Sequence, residues 1–553
     1  MRSASSTSEA AVAAATRVNR LLAVYGDANA CAAHLLCDRH PPGAVACTIV
    51  GSQPGGLDLT YGKLRAKSER LAASLAALGL APGDRVATLM GKSEAFIVSL
   101  LAIWRLGGVH VPLFTAFAPP AIAYRVAAAK ARAIICDADQ LEKVDQAETG
   151  DAVVIVAGDA PPNLLSFHDL LERGPEGFPA AVRGGSAPIV QIYTSGTTGP
   201  PKGVRVPIRA LAGFEIYLQY GLDVRASDTY WNAADPGWAY GLYYAVLAPL
   251  AAGTTTLLQT GGFSAQGMIQ TLDDFGVTNL AAAPTVYRSL RAAGLKPRKP
   301  LRCASSAGEP LTPEVNTWSV QALGVEVRDH YGQTECGMLI NNHQRPILRQ
   351  PLRSGSMGQA MPGWKPVVLA PDSDALVVTE TPGRLAIDVL ESPLAWFEGY
   401  VDEPEKTQEK FTSAGRWYLT GDSAKTDQDG FFYFAARDDD VIIMAGYRIG
   451  PVEVEAVILT HEAISECTVV AAPDELRGEV LEAAVVLREG YAVSDALTAE
   501  IQALVKTGFA AHAYPRRVHY VEALPKTPSG KVQRFIVRQQ LRDLARDAQP
   551  GSR

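Results

Sequence analysis

The ten residues from Thr194 to Gly203, TSGTTGPPKG, have the composition of a phosphate-binding loop. They combine four hydroxyl side chains, three glycines and one lysine, and they follow a β-rich run. Glycines permit close approach and positive φ, so backbone N–H groups, hydroxyls and an ammonium can reach phosphate oxygens together. The Walker pattern G-x-x-x-x-G-K-[ST] is absent, because Lys202 stands three residues after Gly199. The segment therefore predicts a phosphate loop of another type, and an ordinary solvated turn is the alternative.

Seven further motifs accompany this loop along the chain. They are LTYGKL from Leu59, GGVHVPL from Gly107, AGEPL from Ala307, YGQTE from Tyr331, WYLTGD from Trp417, GYRIGPVEVE from Gly446 and PKTPSGKVQR from Pro525. With the loop, the series resembles the adenylate-forming superfamily, which contains acyl-CoA synthetases, luciferases and peptide-synthetase adenylation domains. The matches follow the family's order across nearly the whole chain. Similarity to acetyl- and medium-chain acyl-CoA synthetases rests on four more segments, DPGWAYG from Asp235, APTVYR from Ala283, FEGYVDEPEKT from Phe397 and DELRGE from Asp474.

The resemblance implies a ligase that joins a carboxylic acid to ATP as an acyl-adenylate and then transfers the acyl group to CoA. Thr334 would donate its hydroxyl to the α-phosphate, and Glu335 and Thr198 would hold Mg²⁺, a hard cation suited to oxygen ligands. Asp422 would accept the ribose hydroxyls, with Arg437 as the second ribose contact. The implied ATP-binding residues are Thr194, Ser195, Gly196, Thr197, Thr198, Gly199, Lys202, Gly308, Glu309, Pro310, Tyr331, Gly332, Gln333, Asp422 and Arg437.

Lys531 in PKTPSGK is the implied catalytic lysine, with Thr334 and Glu335 as further catalytic residues. A carboxylate is already ionised at neutral pH, so its attack on the α-phosphate requires no general base. The attack requires positive charge near oxygens that gain negative charge as pyrophosphate leaves. Without the family motif, a lysine in SGK would be read as a solvated surface charge.

A second step requires the thiol of CoA to reach the acyl-adenylate. The resemblance implies that a C-terminal domain rotates about Asp439, so that both steps share one pocket. Arginine suits phosphate recognition because its guanidinium binds oxyanions in a planar, bidentate manner. The implied CoA contacts are Gly446, Tyr447, Arg448 and Arg477.

The acyl pocket is also implied by the resemblance. In acetyl-specific relatives a tryptophan before the Gln of the -QTE- motif closes the pocket, and here that position is Gly332. Ala307 and Ala239 are small as well, while Trp238 and Tyr240 would form aromatic walls. Each buried CH₂ contributes about 0.8 kcal/mol, so a deeper pocket favours propionyl to medium-chain, branched or aryl acids over acetate. A tryptophan at position 332 is expected to shift the preference toward acetate.

Alternating helical and β-rich segments predict a mixed α/β (α+β) fold. Apolar periodicity predicts helices at 61–78, 93–105 and 497–505 and a helix that begins at Pro451, with strands at 85–89, 109–113, 133–136, 189–193, 467–471 and 481–487. The charged cluster Arg437–Asp440 separates two apolar runs and marks a boundary. We therefore predict a large adenylation domain of several subdomains at 1–437, a hinge at 438–440 and a small mobile domain with the catalytic lysine at 441–553.

Composition narrows the function classes. A chain of 553 residues is long enough for two or more domains, and a net charge of −7 disfavours a nucleic-acid partner. Seven cysteines favour reduced thiols in a cytoplasm over a disulfide framework. The uncharged stretch Pro236–Leu272 could span a membrane by length, but Pro249 and several glycines favour a buried helix followed by a strand. The first twenty residues predict a frayed tail, with a transit peptide as the alternative.

Two other functions stay open at this level. The first is an adenylating enzyme whose acceptor is a carrier-protein thiol or an amine rather than CoA. The second is a nucleotide-binding regulator that has lost catalysis, and the joint presence of Lys202, Glu335 and Lys531 argues against it. The sequence leaves the oligomeric state open, and a homo-oligomer is one option.

Overall fold

A computed structural model of the chain describes residues 4–194, 201–309, 311, 313–437, 440, 442–444, 447–474, 478–508, 513–526 and 531–547. The chain divides into two compact units. Met1–Pro366 and Ile387–Trp417 form the first unit, and Val367–Ala386 and Tyr418–Arg553 form the second. Both units combine helices with sheets, which confirms the predicted mixed α/β fold.

The helices of the first unit are mostly short. They are α1 (Ala4–Tyr25), α2 (Tyr61–Ala77), α3 (Glu94–Leu106), α4 (Pro119–Ala129), α5 (Leu141–Gln146), α6 (Phe167–Arg173), α7 (Leu211–Ile216), α8 (Ala239–Gly241), α9 (Ala248–Ala252), α10 (Ala265–Asp274), α11 (Pro284–Ala292), α12 (Pro313–Ala322) and α13 (Pro404–Gln408). Shorter turns of 3₁₀ helix lie at Ala138–Gln140 and Ile208–Ala210, and π-helical turns lie at His34–Asp38, Tyr217–Gly221 and Leu242–Leu247.

The strands of the first unit form two sheets. They are β1 (Val45–Val50), β2 (Leu57–Thr60), β3 (Arg85–Leu89), β4 (Val109–Pro112), β5 (Ala133–Asp137), β6 (Val153–Ala157), β7 (Leu165–Ser166), β8 (Pro188–Tyr193), β9 (Gly203–Pro207), β10 (Tyr230–Asn232), β11 (Thr256–Gln259), β12 (Asn279–Ala282), β13 (Cys303–Ala307), β14 (Val327–Gln333), β15 (Gly337–Asn341) and β16 (Ser356–Ala360). One sheet has the order β7-β6-β5-β3-β4-β8-β9, and the other strands run β16-β15-β14-β13-β12-β10-β11-β1-β2.

The second unit also combines strands and helices. Its strands are β17 (Pro366–Leu369), β18 (Gly383–Asp388), β19 (Trp417–Thr426), β20 (Phe432–Arg437), β21 (Ile442–Met444), β22 (Tyr447–Ile449), β23 (Ile464–Asp474), β24 (Gly478–Leu487) and β25 (Arg517–Tyr520), and its helices are α14 (Pro451–Ile458), α15 (Asp495–Gly508) and α16 (Arg534–Asp547). The orders are β17-β18-β19-β20 and β22-β21-β24-β23, with β25 parallel to β24. Apolar side chains of β23, β24, α14 and α15 form a core that belongs to this unit.

Local sequence explains the predicted elements. The Thr60 side chain accepts the N–H of Lys63 at the start of α2, and Ser93 caps α3 in the same way. Gly107 ends α3 in the left-handed region with a φ of 82°. The predicted helices and strands are confirmed with shifts of a few residues at their ends, where hydrogen bonding frays.

The predicted frayed N-terminus is wrong for residues 4–20, which belong to helix α1 (Ala4–Tyr25). Apolar side chains recur along it at steps of three and four residues and are buried, namely Ala14, Val18, Leu21 and Tyr25. Tyr25 Oη donates to Oε2 of buried Glu215 at 2.7 Å, and Arg17 pairs with the other oxygen of the same carboxylate. The amphipathic stripe and these bonds hold the segment against the first unit.

The uncharged stretch Pro236–Leu272 is confirmed as a buried helix followed by a strand. Helical residues 239–252 are interrupted only by a π-helical turn, and β11 follows at Thr256–Gln259. Across the ranges that the structure describes, no helix combines the length and apolarity needed to cross a bilayer.

Candidate active site

The predicted phosphate loop connects two antiparallel strands. β8 and β9 pair with Tyr193 opposite Gly203, and the backbone N–H of Thr194 donates to the Lys202 carbonyl at 2.9 Å. Five predicted phosphate contacts lie outside the described residues, namely Ser195, Gly196, Thr197, Thr198 and Gly199. The loop is therefore closed at its base by a β-hairpin, whereas a Walker loop joins a strand to a helix.

Lys202 and Glu335 contact the same tyrosine. Lys202 Nζ lies 5.1 Å from the centroid of the Tyr400 ring, within cation–π distance. Tyr400 Oη donates to Oε1 of the buried Glu335 carboxylate at 2.7 Å. The N–H of Val401 donates to the Gly203 carbonyl at 2.9 Å and so attaches this tyrosine's segment to β9. The structure thus joins two predicted site residues through Tyr400, which lies in FEGYVDEPEKT and had no predicted role.

Aromatic packing positions Thr334 and Glu335 between β14 and β15. The Thr334 carbonyl accepts a hydrogen bond of 2.9 Å from Tyr243 Oη. Tyr243 in turn stacks on Phe214, with ring centroids 4.4 Å apart. Glu335 fits the role of a Mg²⁺ ligand, because a carboxylate supplies the hard oxygen donors that this cation prefers.

The predicted adenine-binding segment follows β13, which pairs in parallel with β14. Gly308 has a φ of 103°, a conformation that side-chain-bearing residues rarely adopt. Glu309 Oε2 pairs with Arg288 of the APTVYR motif at 2.7 Å. Its Oε1 is buried and has no hydrogen-bond partner within the described ranges. Pro310 lies outside the described residues.

Asp329 is a candidate adenine contact that the motifs do not identify. It precedes Tyr331 by two positions on β14, so both side chains leave the strand on the same face. Its Oδ2 accepts the N–H of Leu311 at 3.4 Å, while Oδ1 is buried and unpartnered among the residues described. Burial raises the pKa of Asp329 to about 8. Strand periodicity was the signal that could have identified it.

The end of strand β14 is half-buried at Tyr331, Gly332 and Gln333.

Gly332 occupies a β-bulge opposite β15. A Cβ placed on Gly332 would lie 2.3 Å from the Gly337 carbonyl oxygen and 2.7 Å from the Met338 Cα. Both are backbone atoms, so any side chain at this position would displace β15. The tryptophan substitution considered above would therefore disturb the hairpin as well as the acyl pocket, and it cannot isolate chain-length selectivity.

The predicted pocket residues differ in exposure. Ala307 is buried on β13 with 1% exposure, whereas the other side chains are half-buried, namely Trp238, Ala239 and Tyr240. Trp238 packs against Phe114 and Phe117, with ring centroids 5.6 and 5.4 Å away. Tyr240 instead enters a cluster of tyrosines, with its ring 5.5 Å from that of Tyr244.

A chain of hydrogen bonds leads from Tyr240 into the core. Its hydroxyl lies 3.1 Å from Tyr217 Oη, which lies 2.7 Å from His330 Nδ1. His330 Nε2 lies 3.2 Å from the Asn342 backbone carbonyl. Burial lowers the pKa of His330 to about 3, so the imidazole is neutral at physiological pH.

The two predicted ribose contacts face each other within the second unit. Asp422 on β19 is directly opposite Arg437 on β20 in the antiparallel register. Arg437 Nη1 lies 4.0 Å from Asp422 Oδ1, and the carboxylate is buried while the guanidinium is half-exposed. The N–H of Asp422 donates to Thr420 Oγ1 at 3.1 Å. Strand register therefore brings together the acceptor and the donor that the motifs placed on ribose.

Lys531 is exposed and precedes helix α16. A β-bridge joins Lys526 to Val532, the residue after Lys531. Lys526 pairs with Glu466 of β23 at 2.7 Å. Residues 527–530 lie outside the described ranges.

The predicted hinge and CoA contacts are described only in part. Asp439, Gly446 and Arg477 lie outside the described residues. Tyr447 and Arg448 belong to β22, which pairs antiparallel with β21, and only their backbone is described. The roles of these five residues stay predictions.

Helix α16 contacts the last residue of the predicted hinge, Asp440. Asp440 lies 3.4 Å from Arg534 and 3.5 Å from Arg538. Arg534 also pairs with Glu455 of α14 at 2.6 Å. Burial alone would lower the pKa of Arg534, but the carboxylates of Glu455 and Asp440 outweigh it and raise that pKa.

Two family models match the sequence. Residues 36–400 match the model described as AMP-binding enzyme, and residues 453–531 match the AMP-binding enzyme C-terminal domain. The chain therefore belongs to the AMP-binding enzyme family, which is the adenylate-forming superfamily that its motifs resemble.

Relatives and solved structures agree on the activity. Acetyl-coenzyme A synthetase of Bacillus subtilis is 34% identical over 87% of this chain and 84% of its own length. Mitochondrial acyl-coenzyme A synthetase ACSM4 of Mus musculus is 35% identical over 84% of this chain and 80% of its own. The crystal structure of Brucella canis acyl-CoA synthetase is 39% identical, with a TM-score of 0.74 and coverage of 96% of this chain and 97% of that one. The anthranilate CoA ligase AuaEII with anthranoyl-AMP is 26% identical, with a TM-score of 0.84 and coverage of 94% and 98%.

The chain is an AMP-forming acyl-CoA synthetase, a carboxylic acid–thiol ligase whose substrates are an acid, ATP and CoA, with Mg²⁺ as the metal. The predicted activity and cofactors are thereby confirmed.

Proposed function

We propose that this chain makes CoA thioesters from short- to medium-chain carboxylic acids, branched and aryl acids included, with the residues described above in two half-reactions. One observation carries the assignment of residues. Lys202 of the phosphate loop and the Glu335 carboxylate, far apart in sequence, both contact Tyr400. A fixed ammonium beside a carboxylate that can bind a divalent cation is the arrangement that a triphosphate requires.

In the first half-reaction the acid carboxylate attacks the α-phosphorus of ATP, and the bond to pyrophosphate breaks. We assign Lys202 to the leaving phosphates and the Thr334 hydroxyl to an α-phosphate oxygen. Lys531 supplies positive charge to the oxygens that gain negative charge. Mg²⁺, when bound, would neutralise phosphate charge, with Glu335 and Thr198 as its protein ligands.

The nucleoside is bound by two groups of residues. Gly308, Glu309, Pro310 and Tyr331 are assigned to adenine, and the unpartnered Oδ1 of Asp329 is a polar atom that can form a hydrogen bond with the base. Asp422 would accept the two ribose hydroxyls, and Arg437 would donate to a ribose oxygen.

In the second half-reaction the CoA thiol attacks the acyl carbonyl, a C–S bond forms and AMP leaves. We propose that a domain comprising residues 441–553 turns about Asp439 between the half-reactions, relative to residues 1–437. Gly446 would then line the pantetheine path, and Tyr447, Arg448 and Arg477 would contact CoA.

The class of acid is proposed from the pocket walls. Trp238 and Tyr240 supply aromatic surface, and the side chains of Ala239 and Ala307 are small, whereas backbone atoms of β15 occupy the space beside Gly332. Aryl acids are included because aromatic rings pack well against aromatic walls and because one structural relative is named as an anthranilate CoA ligase.

CoA is the proposed acceptor, in preference to a carrier-protein thiol, because the relatives described above are named coenzyme A synthetases. We place the chain in a reducing compartment, the cytoplasm, because all seven cysteines are buried thiols. Several relatives are named mitochondrial, so the mitochondrion is the competing location.

An acid panel tests the function. AMP release would be measured with ATP, CoA and acids from acetate to octanoate, with branched and aryl acids added. We expect CoA-dependent release that is largest for an acid longer or bulkier than acetate. Release that is greatest with acetate would contradict the proposed acid class, and release independent of CoA would contradict the proposed acceptor.

A further inference from the structure

The hydrogen-bond chain behind Tyr240 has a fixed direction. It ends at the backbone carbonyl of Asn342, which can only accept, so His330 Nε2 must carry the proton that is donated there. A neutral imidazole has one N–H, and Nδ1 is then an acceptor. The hydroxyl of Tyr217 therefore donates its only proton to His330 Nδ1.

The hydrogen bond that Tyr217 donates to His330 also determines which of the two tyrosines is the donor in the contact between Tyr217 and Tyr240. Because Tyr217 has already used its proton, the 3.1 Å contact between the two hydroxyls requires Tyr240 to donate and Tyr217 to accept. The Tyr240 oxygen then has lone pairs that can accept a hydrogen bond, but it has no further proton to donate. Tyr217 and His330 are buried, with 0% and 2% exposure, whereas Tyr240 is half-buried and is the member of this chain that a ligand can reach.

We propose that the Tyr240 hydroxyl makes the acyl pocket select substrates that carry a hydrogen-bond donor. The preferred substrate is then a carboxylic acid with a hydroxyl or amino group. This inference rests on the proposed function, because it takes Tyr240 as a wall of the acyl pocket. The group donates to the Tyr240 oxygen, and an alkyl, ether or keto group at the same place has nothing to donate.

The neighbouring hydroxyl does not present the same acceptor. Tyr244 Oη accepts the N–H of Met338 at 2.9 Å and is buried, with 1% exposure. A hydroxyl in an apolar pocket without a partner is disfavoured by its lost hydration. Preference for a hydroxyl over a methyl group of similar size therefore requires an acceptor, and Tyr240 supplies it.

Matched acids test this reading through ATP–pyrophosphate exchange, which reports adenylate formation without CoA. The panel contains hydroxybenzoates, aminobenzoates, methylbenzoates and methoxybenzoates at each ring position, with the corresponding substituted butanoates. We expect the best hydroxyl or amino acid to exceed its methyl counterpart about three- to tenfold in kcat/KM. The methoxy acid, which keeps the oxygen but lacks the proton, should not exceed the methyl acid.

Two variants examine the relay itself. In Tyr240→Phe the ratio of hydroxyl to methyl acid should fall toward one. In Tyr217→Phe the Tyr240 O–H no longer donates to Tyr217 and can donate to the ligand. The kcat/KM of methoxy acids should therefore rise relative to that of methyl acids. Tyr491→Phe changes an exposed tyrosine of the second unit and should leave both ratios unchanged. Thermal melting of each variant checks that it is folded.

The outcomes distinguish failure of the proposed hydrogen-bond selectivity from failure of the proposed synthetase function. Exchange with equal rates for hydroxyl and methyl acids, or an unchanged ratio in Tyr240→Phe, overturns the donor-reading pocket and leaves the synthetase function intact. A methoxy acid as good as the hydroxyl acid also overturns it. Absence of exchange with every acid overturns the proposed function, and this inference with it.

Discussion

The hydroxyl of Tyr400 donates a 2.7 Å hydrogen bond to Glu335, and the face of the same ring lies 5.1 Å from the ammonium of Lys202. One tyrosine thus holds an acidic residue and a basic residue that would otherwise attract each other directly. A direct ion pair between them would neutralise the charges needed for Mg²⁺ and phosphate. We infer that Tyr400 is a positioning residue that keeps both charges available.

Replacement of Tyr400 by Phe should slow adenylate formation about tenfold, because the buried Glu335 carboxylate loses a donor worth about 1 to 3 kcal/mol. The Mg²⁺ concentration needed for half-maximal exchange should also rise. Pyrophosphate exchange at several Mg²⁺ concentrations measures both effects. Tyr433→Phe is the matched control, since it removes a 3.0 Å bond from a tyrosine to Asp427 in the second unit. An equal loss in both variants would show that Tyr400 has only a structural role.

Replacement of Asp422 by Ala should abolish discrimination between ATP and deoxyATP. The carboxylate is proposed to accept the ribose hydroxyls, and such charge-assisted bonds contribute about 1.5 to 3 kcal/mol each. We expect kcat/KM for ATP to fall at least tenfold, with a smaller fall for deoxyATP. Asp429→Ala, an exposed carboxylate of the same β19–β20 turn, serves as the control. A wild-type ATP preference that persists in Asp422→Ala would exclude the ribose role.

Much of this site follows from short motifs, but its pairings depend on tertiary structure. Asp422 and Arg437 could be assigned separately, whereas their face-to-face placement depends on the register of β19 and β20. The contact between Tyr400 and Glu335 crosses from one part of the chain to another and has no sequence spacing that could indicate it. The sequence alone therefore identified the charged residues of the site, but it could not identify the contacts that position them.

Two other features that the sequence analysis missed could have been predicted from sequence periodicity. Helix α1 is Ala-rich, which resembles a flexible tail, but its apolar residues recur with helical periodicity and are buried. Asp329 stands two residues before Tyr331, and strand alternation places both on one face. The obstruction at Gly332 could not be predicted, because it depends on the bulge that brings the Gly337 carbonyl close.

Asp329 should make stability depend on pH. Its pKa is raised to about 8 in the folded chain, against about 3.9 when unfolded, so the folded state holds the proton more tightly. Its contribution to stability is full below the unfolded pKa and is lost as pH rises toward 8. Asp329→Asn cannot lose a proton. Its stability relative to wild type should therefore improve by roughly 1 kcal/mol for each pH unit between pH 5 and pH 7.

Urea unfolding at several pH values measures this difference. Asp151→Asn changes an exposed carboxylate and should give the same difference from wild type at every pH. A pH-independent difference for Asp329→Asn would mean that Asp329 is ionised in the folded state.

The contacts of Asp440 with α16 should affect the alternation between half-reactions. Asp440→Asn weakens contacts with Arg534 and Arg538 beside the predicted hinge. We expect thioester formation to slow about three- to tenfold relative to pyrophosphate exchange, because the pivot loses its fixed orientation. Glu455→Gln removes charge from the other partner of Arg534 and should reduce the free energy of unfolding without changing that ratio. The same change of ratio in both variants would contradict a special role for the hinge.

Lys531 should separate the two half-reactions most clearly. Lys531→Ala removes the charge proposed to stabilise the departure of pyrophosphate, so exchange should fall about a hundredfold or more. Thioester formation from supplied acyl-adenylate and CoA should change little, because no pyrophosphate departs in that step and Lys531 is proposed to act on the departure of pyrophosphate. Lys526→Ala is the matched control, since this lysine forms a β-bridge with Val532, the residue after Lys531, and pairs with Glu466. If Lys526→Ala reproduced the selective loss, backbone conformation rather than the Lys531 charge would explain it. If Lys531→Ala lost both half-reactions equally, the residue would act on binding common to both, and the proposed division of labour would be wrong.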